Sequence, residues 1–346
     1  DDGVTEGYEG FNVIVLDSAF ATLATSNNVV IQDGAEAGTT QALATTIDNL
    51  TGTDGNDTFN AVSTADQGTG STISAGDVIN AGNGTDTLNI SISGLGTAAQ
   101  TIQAFQAKDM ETVLVSNYDT NADDTEDHAI DLTLSTGITK VGLSSSGATG
   151  DTSFTGLNAA IVAAEMKNGA GDLTVTYGAA VVAGLTDTQN LTVSNNTAGT
   201  FTVNGAETVS ITSELAASTL TAVTDTSMTT LNVTGDQNLT ITGALDFAGA
   251  STLAGTLDAS AFTGNLTVNM ATAEDTTVTG GTGDDTIAYG TTLTTVDVIN
   301  GGDGTDTVSV NQDTFTLSSY TNMSNVEVIS AEATAGSTLS VVTAGS

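Results

Sequence analysis

Two stretches near the end of the chain decide the fold prediction: Gly280-Gly-Thr-Gly-Asp-Asp-Thr-Ile-Ala288 and Gly301-Gly-Asp-Gly-Thr-Asp-Thr-Val-Ser309. Both fit the nonapeptide Gly-Gly-x-Gly-x-Asp-x-U-x, where U is a large apolar residue, which builds calcium-binding β-solenoids. Glycines allow positive φ in a tight turn and let carbonyl oxygens converge, the Asp adds a carboxylate, and the next apolar residue anchors a strand. The pattern therefore predicts short strands joined by oxygen-rich turns.

Related loops occur earlier in the chain. Residues 52–60 carry Thr53 at the second Gly position, and residues 81–89 carry Ala81 at the first. Strands that begin with Glu follow or separate these loops, at Glu111, Glu207 and Glu327. We therefore divide the chain into an N-terminal segment, a first module, a strand-rich middle and a second module, with bounds 1–48, 49–118, 119–275 and 276–346.

Short alternations of apolar residues with Thr, Ser or Asn run through the middle and predict strands. Examples are Leu173-Thr-Val175, Leu191-Thr-Val193, Phe201-Thr-Val203, Val209-Ser-Ile211, Leu231-Asn-Val233, Leu239-Thr-Ile241 and Leu266-Thr-Val268. Strands recur about every 8 to 11 residues, and every second strand returns after 18 to 20 residues, about one turn of a two-strand solenoid. We predict an all-β, elongated β-solenoid resembling a β-roll. The alternative is a set of β-sandwich modules, which have similar strand spacing.

The Gly/Asp loops are candidate calcium sites. Calcium takes 6 to 8 oxygen ligands, more than one loop supplies, so a second loop must lie above the first. Asp57 and Asp77 are 20 residues apart, as are Asp66 and Asp86, and Asp285 and Asp306 are 21 apart, so each pair is expected one turn apart on one edge. The predicted carboxylate ligands are Asp57, Asp77, Asp86, Asp285, Asp297 and Asp306. The predicted supporting residues are Asp54, Asn83, Asp284 and Asp303.

The composition also favours a cation ligand. Three Lys or Arg residues stand against 41 Asp or Glu, a formal charge of −38 in 346 residues. Without a basic patch the chain is not expected to bind nucleic acid, and self-repulsion is relieved best by multivalent cations. The sequence has no run of 18 apolar residues, so we expect no direct membrane insertion.

Catalytic signals are weak. His128 is the one histidine, Cys is absent, and a Ser-His-Asp triad would have to use a residue that we expect to be exposed in a loop. The acidic run from Asp119 to Asp127 begins like an EF-hand loop but has Asp124 at the Gly position and Ile130 at the Glu position. We predict a solvated acidic loop there, with an irregular cation site as the alternative, and a protein that is not an enzyme.

These features resemble RTX-type bacterial surface-layer proteins. The resemblance covers roughly residues 49–330 and is carried by the nonapeptides, the Glu-led strands and the stretches Leu231 to Ile241 and Leu257 to Val268. It implies type I export, calcium-triggered folding outside the cell and calcium-dependent lattice assembly. The chain departs from the pattern by ending at Ser346 without the apolar residues typical of such export signals.

Three functions remain open. The first is a secreted structural protein of the extracellular cell surface that binds calcium and self-associates into a homo-oligomeric layer or filament. The second is a secreted or phage-borne, calcium-dependent adhesin or fibre module that binds cell-surface polysaccharide. The third, least favoured, is a solenoid enzyme that degrades polysaccharide. We also hypothesise that Phe11 to Leu16 and Val29 to Ile31 form an edge strand given to a neighbouring subunit, the alternative being an ordinary first coil.

Overall fold

The structure is a computed structural model that describes most of the chain. It covers residues 7–11, 14–16, 22–25, 29–33, 36–64, 70–94, 100–120, 128–184, 186–248, 255–271, 275–312, 314–316, 321–332 and 340–342. Asp66 and residues 121–127 of the acidic run, for which we made predictions above, lie outside these ranges.

Strands form because apolar and polar side chains alternate. In the strand Leu173–Tyr177, Leu173, Val175 and Tyr177 are buried, while Thr174 and Thr176 between them are partly exposed. β-Branched residues favour the extended backbone, in which successive side chains point to opposite faces. Each such strand therefore has one side for the core and one for solvent.

The first half of the chain contains strands β1 to β17. They are β1 (Gly7–Phe11), β2 (Ile14–Leu16), β3 (Thr22–Thr25), β4 (Val29–Asp33), β5 (Thr40–Ala42), β6 (Asn49–Thr51), β7 (Thr58–Thr64), β8 (Val78–Asn80), β9 (Thr87–Gly94), β10 (Gln100–Ile102), β11 (Gln106–Lys108), β12 (Thr112–Asp119), β13 (His128–Asp131), β14 (Lys140–Ser146), β15 (Thr152–Leu157), β16 (Ala163–Lys167) and β17 (Leu173–Tyr177).

The second half contains strands β18 to β34. They are β18 (Thr188–Ser194), β19 (Thr200–Val203), β20 (Thr208–Ser213), β21 (Ser218–Leu220), β22 (Ala222–Thr224), β23 (Thr230–Gly235), β24 (Leu239–Ala244), β25 (Gly255–Phe262), β26 (Leu266–Asn269), β27 (Thr276–Thr279), β28 (Thr286–Gly290), β29 (Val298–Asn300), β30 (Thr307–Asn311), β31 (Thr314–Thr316), β32 (Met323–Ser324), β33 (Val328–Glu332) and β34 (Ser340–Val342).

The fold is a β-solenoid with two faces. One 13-stranded sheet forms the first face and contains β5, β7, β9, β12, β14, β16, β18, β20, β23, β25, β27, β29 and β32. The second face consists of a three-stranded sheet (β6, β8, β11) and two six-stranded sheets, β10–β13–β15–β17–β19–β22 and β21–β24–β26–β28–β30–β33. From β5 onward the chain returns to the 13-stranded sheet once in every turn, with one or two other strands in between, and strands of adjacent turns pair in parallel.

The solenoid prediction is therefore confirmed, and the β-sandwich alternative is wrong. Sandwich sheets are antiparallel, whereas antiparallel pairing among the described strands is confined to β1 with β4 and β2 with β3. In the first of these pairs Phe11 lies opposite Val29. Donation of this N-terminal segment to a neighbouring subunit stays a prediction.

The predicted turn of 18 to 20 residues is too short for most of the solenoid. Hydrogen-bonded partners in adjacent turns are 18 residues apart at Thr39 and Asp57 but 29 apart at Asp57 and Asp86. They are 20 apart at Asp187 and Glu207. The strands stay in register while loops of different length are added at the edges, so turn length varies without disturbing the sheet.

Columns of apolar side chains form the core between the two faces. One column crosses the 13-stranded sheet in register through Phe59, Leu88, Val113, Val141, Ala164, Leu191, Ile211 and Val233. All of these side chains are buried, and burying a Val, Leu, Ile or Phe contributes about 1.5–3 kcal/mol. The core thus holds the edges, where the Gly/Asp loops lie, in fixed positions. In the described part of the chain no helix has the length and hydropathy to span a membrane.

Candidate functional site

The four Gly/Asp loops form two stacks of equivalent geometry. In the first stack Gly52 N–H donates to the Asn80 carbonyl over 2.9 Å, and in the second Gly280 N–H donates to the Asn300 carbonyl over 2.8 Å. Residues 52–57 thus lie against 81–86, and residues 280–285 against 301–306. The sequence similarity between the two modules therefore corresponds to one repeated local structure.

Glycine is required where the loops touch. Gly82 and Gly302 have φ values of 106° and 103°, which L-residues with side chains rarely adopt. A Cβ atom on either residue would lie 2.1 Å from a carbonyl oxygen of the preceding loop, that of Thr53 or Gly281. The two glycines allow backbones of successive turns to approach closely and bring their carbonyl oxygens together.

The aspartates of each stack form a ladder of hydrogen bonds from turn to turn. Asp57 N–H donates to Asp86 Oδ1 over 2.7 Å, and Asp86 N–H donates to Glu111 Oε2 over 2.8 Å. In the second stack Asp285 N–H donates to Asp306 Oδ1 over 2.8 Å, and Asp306 N–H to Glu327 Oε2 over 2.9 Å. Each carboxylate satisfies a backbone donor at a corner of the solenoid, where no strand partner is present.

Glu residues are the last members of these ladders, a role that was not predicted from the sequence. Asp109 and Asn325, each two residues before a ladder Glu, have φ of 53° and 49°, and Gly205, two residues before Glu207, has φ of 77°. Glu207 Oε2 likewise accepts a hydrogen bond from Asp187 N–H, over 2.8 Å. The sequence signal for such a Glu is an Asp, Asn or Gly two positions before it, because these residues tolerate the left-handed backbone found there.

The predicted pairing is right in the second stack and wrong in the first. Asp285 and Asp306 are neighbours, 21 residues apart. Asp57, however, pairs with Asp86 rather than Asp77. Asp77 lies half a turn after Asp57, on the opposite edge. The 20 residues from Asp57 to Asp77 are taken up by β7 and the loop that follows it, which together form only part of a turn. There its Oδ1 accepts from Asp48 N–H over 2.9 Å and its Oδ2 from Ser74 N–H over 2.6 Å.

The equivalent of Asp77 in the second module is Asp297. Its Oδ1 accepts from Thr276 N–H over 2.8 Å, and its Oδ2 accepts from Thr294 N–H over 2.8 Å. Both oxygens of this buried carboxylate therefore bond to the protein itself. Asp77 and Asp297 have the contacts of structural turn residues and lie apart from the loop stacks.

The predicted supporting residues form the exposed outer row of the stacks. Asn83 Nδ2 donates to Asp54 Oδ1 over 2.8 Å in the first stack, and Asp284 Oδ1 accepts from Thr305 N–H over 2.8 Å in the second. Asp303 is exposed, and its backbone N–H donates to the Gly281 carbonyl over 3.0 Å. This row faces solvent, outside the buried carboxylate ladder.

Two carboxylate oxygens in the ladders stand out. Asp86 is 0% and Asp306 is 1% exposed, yet Oδ2 of each has no hydrogen-bond partner among the described residues. By contrast, Asp57 Oδ2 accepts from Thr53 N–H and Asp285 Oδ2 from Gly281 N–H. The orphaned oxygens occupy equivalent positions in the two modules, so the same feature occurs twice.

Burial changes the acidity of the ladder residues. Burial raises the pKa of Asp86, Asp285 and Asp306 above the usual 3.8, and nearby carboxylates raise it further. Burial also acts to raise the pKa of Asp57, but hydrogen bonds from Thr39 and Thr53 outweigh it, and this pKa is lowered. The ladder therefore contains both a negative charge stabilised by hydrogen bonds, at Asp57, and poorly compensated negative charges, at the other three aspartates.

The donor set suits a hard cation. The stacks offer carboxylate and carbonyl oxygens, the ligands that calcium prefers. No group of three or more Asp, Glu, His or Cys side chains converges as a metal site within the described ranges. A calcium ion at Asp86 or Asp306 would therefore be completed by backbone carbonyls and water, with the unpartnered Oδ2 of that aspartate as its carboxylate ligand.

The two stacks lie on opposite edges of the solenoid. We define the entry edge as the side where the chain passes into the 13-stranded sheet, and the exit edge as the side where it leaves. Asp57 and Asp86 directly precede β7 and β9 and lie on the entry edge. Asp285 and Asp306 precede β28 and β30 of the second face and lie on the exit edge.

The prediction of an exposed His128 is wrong. The residue begins β13, where its side chain is 1% exposed, and Nε2 lies 3.8 Å from Oδ2 of the buried Asp119. Its backbone pairs in register with Thr152 of β15. The strand resumes directly after the acidic run, which places the histidine in the interior.

Comparison with protein-family models and with curated proteins finds no match for this chain.

Proposed function

We propose that this chain is a non-enzymatic structural protein of the extracellular surface that binds calcium in its Gly/Asp loop stacks and self-associates. One observation carries the proposal: Asp86 and Asp306, equivalent residues of two separate modules, each hold a buried carboxylate oxygen without a partner among the described residues. Leaving a buried charged acceptor unsatisfied is costly. The same unsatisfied oxygen occurs at one position of a repeated loop in both modules. This repetition supports the binding of a ligand that compensates the buried charge.

Calcium would act on the stability of the solenoid. A cation beside Asp86 or Asp306 offsets the repulsion between successive ladder carboxylates and reduces the formal charge of −38. A ligand that binds the folded state alone, at about ten times its Kd, stabilises that state by about 1.4 kcal/mol. Extracellular calcium modules have Kd values of about 10⁻⁴–10⁻³ M, so such sites fill outside the cell.

The placement of the stacks supports a role in assembly. One module offers its loops on the entry edge and the other on the exit edge, so cations can be held on both sides of one molecule. The resemblance to RTX-type surface-layer proteins points the same way. A groove of about 530 Å³ on the second face has one carboxylate, Glu332, in its described lining, whereas glycoside hydrolysis uses two.

The test compares two double variants of the full-length protein with the wild type. Asp86→Asn with Asp306→Asn removes the orphaned carboxylates, and the control, Asp236→Asn with Asp258→Asn, removes two exposed carboxylates. Calorimetric titration and negative-stain electron microscopy, with millimolar calcium and with chelator, measure binding and assembly. We expect calcium-dependent particles for wild type and control and their loss in D86N/D306N. Equal calcium affinity in all three proteins would contradict the proposed sites.

A further inference from the structure

The entry edge carries a column of mostly acidic residues, which is broken at Thr139 and Val162 and again at Thr229. The residue directly before each strand of the 13-stranded sheet belongs to this column. From β7 to β29 its described members are Asp57, Asp86, Glu111, Thr139, Val162, Asp187, Glu207, Thr229, Asp275 and Asp297. Val162 is the one aliphatic member among them, and Thr139 precedes it. The acidic column is therefore interrupted over two successive turns.

The break at Thr139 and Val162 belongs to a larger uncharged patch, which we define as residues 132–139, 157–164 and 177–184. None of these residues is Asp, Glu, Lys, Arg or His, although the chain has 41 acidic residues in all. Val162 is 67% and Leu134 is 52% exposed. Ile138, Val181 and Val182 are partly buried against the core. The patch is thus apolar as well as uncharged.

The three segments form one continuous surface. Val162 N–H donates to the Thr139 carbonyl over 2.6 Å, which joins the first two segments, and Gly178 N–H donates to the Leu157 carbonyl over 3.1 Å, which joins the last two. A groove of about 380 Å³ runs between the first two segments and is lined by Leu132, Ile138 and Leu157 among others. These residues belong to the edge loops of three successive turns, so their positions are fixed by the sheets.

We propose that the uncharged patch is a self-association surface that packs against the same patch of a second copy. This inference rests on the proposed function, which it deepens by locating a contact between copies. Two chains of charge −38 repel each other over most of their surface. They meet with least repulsion where neither carries a charge, and apolar side chains supply the attraction there. A cationic partner would be drawn instead to the acidic remainder of the surface.

The flanks of the patch couple this contact to calcium. Glu111 lies one turn before the patch in the entry-edge column, and Asp187 and Glu207 follow it. When two copies pack patch to patch, these carboxylates approach those of the partner and repel them. Neutralisation of the neighbouring Asp86 site by calcium reduces that repulsion. The contact is therefore expected to strengthen with calcium although no ion lies within it.

The first test uses two substitutions matched in charge and exposure. Val162→Asp introduces an acidic residue at a position of the entry-edge column that is Asp in several other turns. The control is Leu215→Asp, on the exit edge, where the leucine is 78% exposed. Sedimentation velocity of the full-length proteins in millimolar calcium measures association, and circular dichroism and thermal unfolding verify the fold. We expect at least tenfold weaker association for V162D, with L215D equal to wild type.

A second test reports which surfaces meet. The natural chain has no cysteine, so Leu134→Cys and Leu215→Cys each introduce a single thiol. With a short bismaleimide cross-linker in calcium, L134C is expected to form a covalent dimer and L215C is not.

Wild-type association by V162D, a wild-type protein that stays monomeric in calcium, or equal cross-linking of both cysteine variants would each overturn the inference. Calcium affinity is measured separately by calorimetry. If the protein binds calcium at the loop stacks while V162D associates normally, the patch proposal fails and the calcium proposal stands. If calcium does not bind, the calcium proposal fails.

Discussion

At the scale of single residues, position in the ladder decides what each aspartate does. Asp57 accepts hydrogen bonds from Thr39 and Thr53 through both carboxylate oxygens, so its charge is stabilised inside the folded protein. Asp86 and Asp306 each have one oxygen left over. Residues with the same place in the sequence motif thus divide into structural acceptors and candidate ligands.

This division predicts a pH dependence in the absence of calcium. The raised pKa values of Asp86, Asp285 and Asp306 mean that their contribution to stability is full below the usual 3.8 and is lost as pH rises through the folded value. Asp57, with a lowered pKa, contributes above 3.8 and loses that contribution as pH falls through its folded value. In chelator, the melting temperature is therefore expected to rise as pH falls from neutral through the raised folded pKa values towards 3.8.

The same double variants separate this effect from general charge repulsion. D236N/D258N removes two exposed charges and should retain most of the pH-dependent rise in melting temperature. D86N/D306N should show a smaller rise, because two of the three groups responsible are gone. Differential scanning calorimetry at several pH values measures both, and parallel curves would contradict the assignment of buried charge to these residues.

At the scale of elements, the edge loops rather than the strands carry the distinctive chemistry. The alternation of apolar residues with Thr was enough to predict strands and a solenoid. Spacing was enough to pair Asp285 with Asp306, because that turn has 21 residues. It failed for Asp57 because residues added after β7 lengthen the turn to 29. Nothing in a local pattern reveals how many residues a loop adds before the next strand comes into register.

Two other features lay beyond the local patterns. The interior position of His128 depends on where β13 begins after the acidic run, which the alternation did not mark. The ladder role of Glu111 and Glu327 depends on contacts with the preceding turn. The left-handed residues Asp109 and Asn325 that position these glutamates are visible in the sequence, but their meaning follows only from the corner geometry.

The loop stack predicts a strong preference for glycine at its points of contact. Gly302→Ala places a Cβ 2.1 Å from the Gly281 carbonyl oxygen, at a φ of 103°, and is expected to destabilise the protein by about 2 kcal/mol or more. Gly147→Ala is the control, because a Cβ atom there would lie 3.8 Å from its nearest neighbour, the Asp119 carbonyl oxygen. Thermal unfolding in calcium measures both. Equal melting temperatures would show that the stack does not have this close backbone contact.

At the scale of the whole molecule, charge and fold are matched. The solenoid has an uninterrupted 13-stranded sheet to which strands from all four sequence segments contribute. Acidic residues recur at its edges in successive turns, and some of them are buried and others exposed. The two loop stacks lie on opposite edges, and the uncharged patch lies on the entry edge. A net charge of −38 is therefore distributed in a way that suits cation binding and contact between copies.

The most direct test of this account is to locate calcium in crystals of the full-length protein. Crystals grown in calcium and soaked with terbium, which gives a strong anomalous signal, would be measured for wild type and D86N/D306N. We expect one ion in each loop stack of the wild type, about 2.3–2.6 Å from Oδ2 of Asp86 and of Asp306, and neither ion in the variant. Anomalous peaks confined to exposed carboxylates, with both Oδ2 atoms unoccupied, would contradict the central claim.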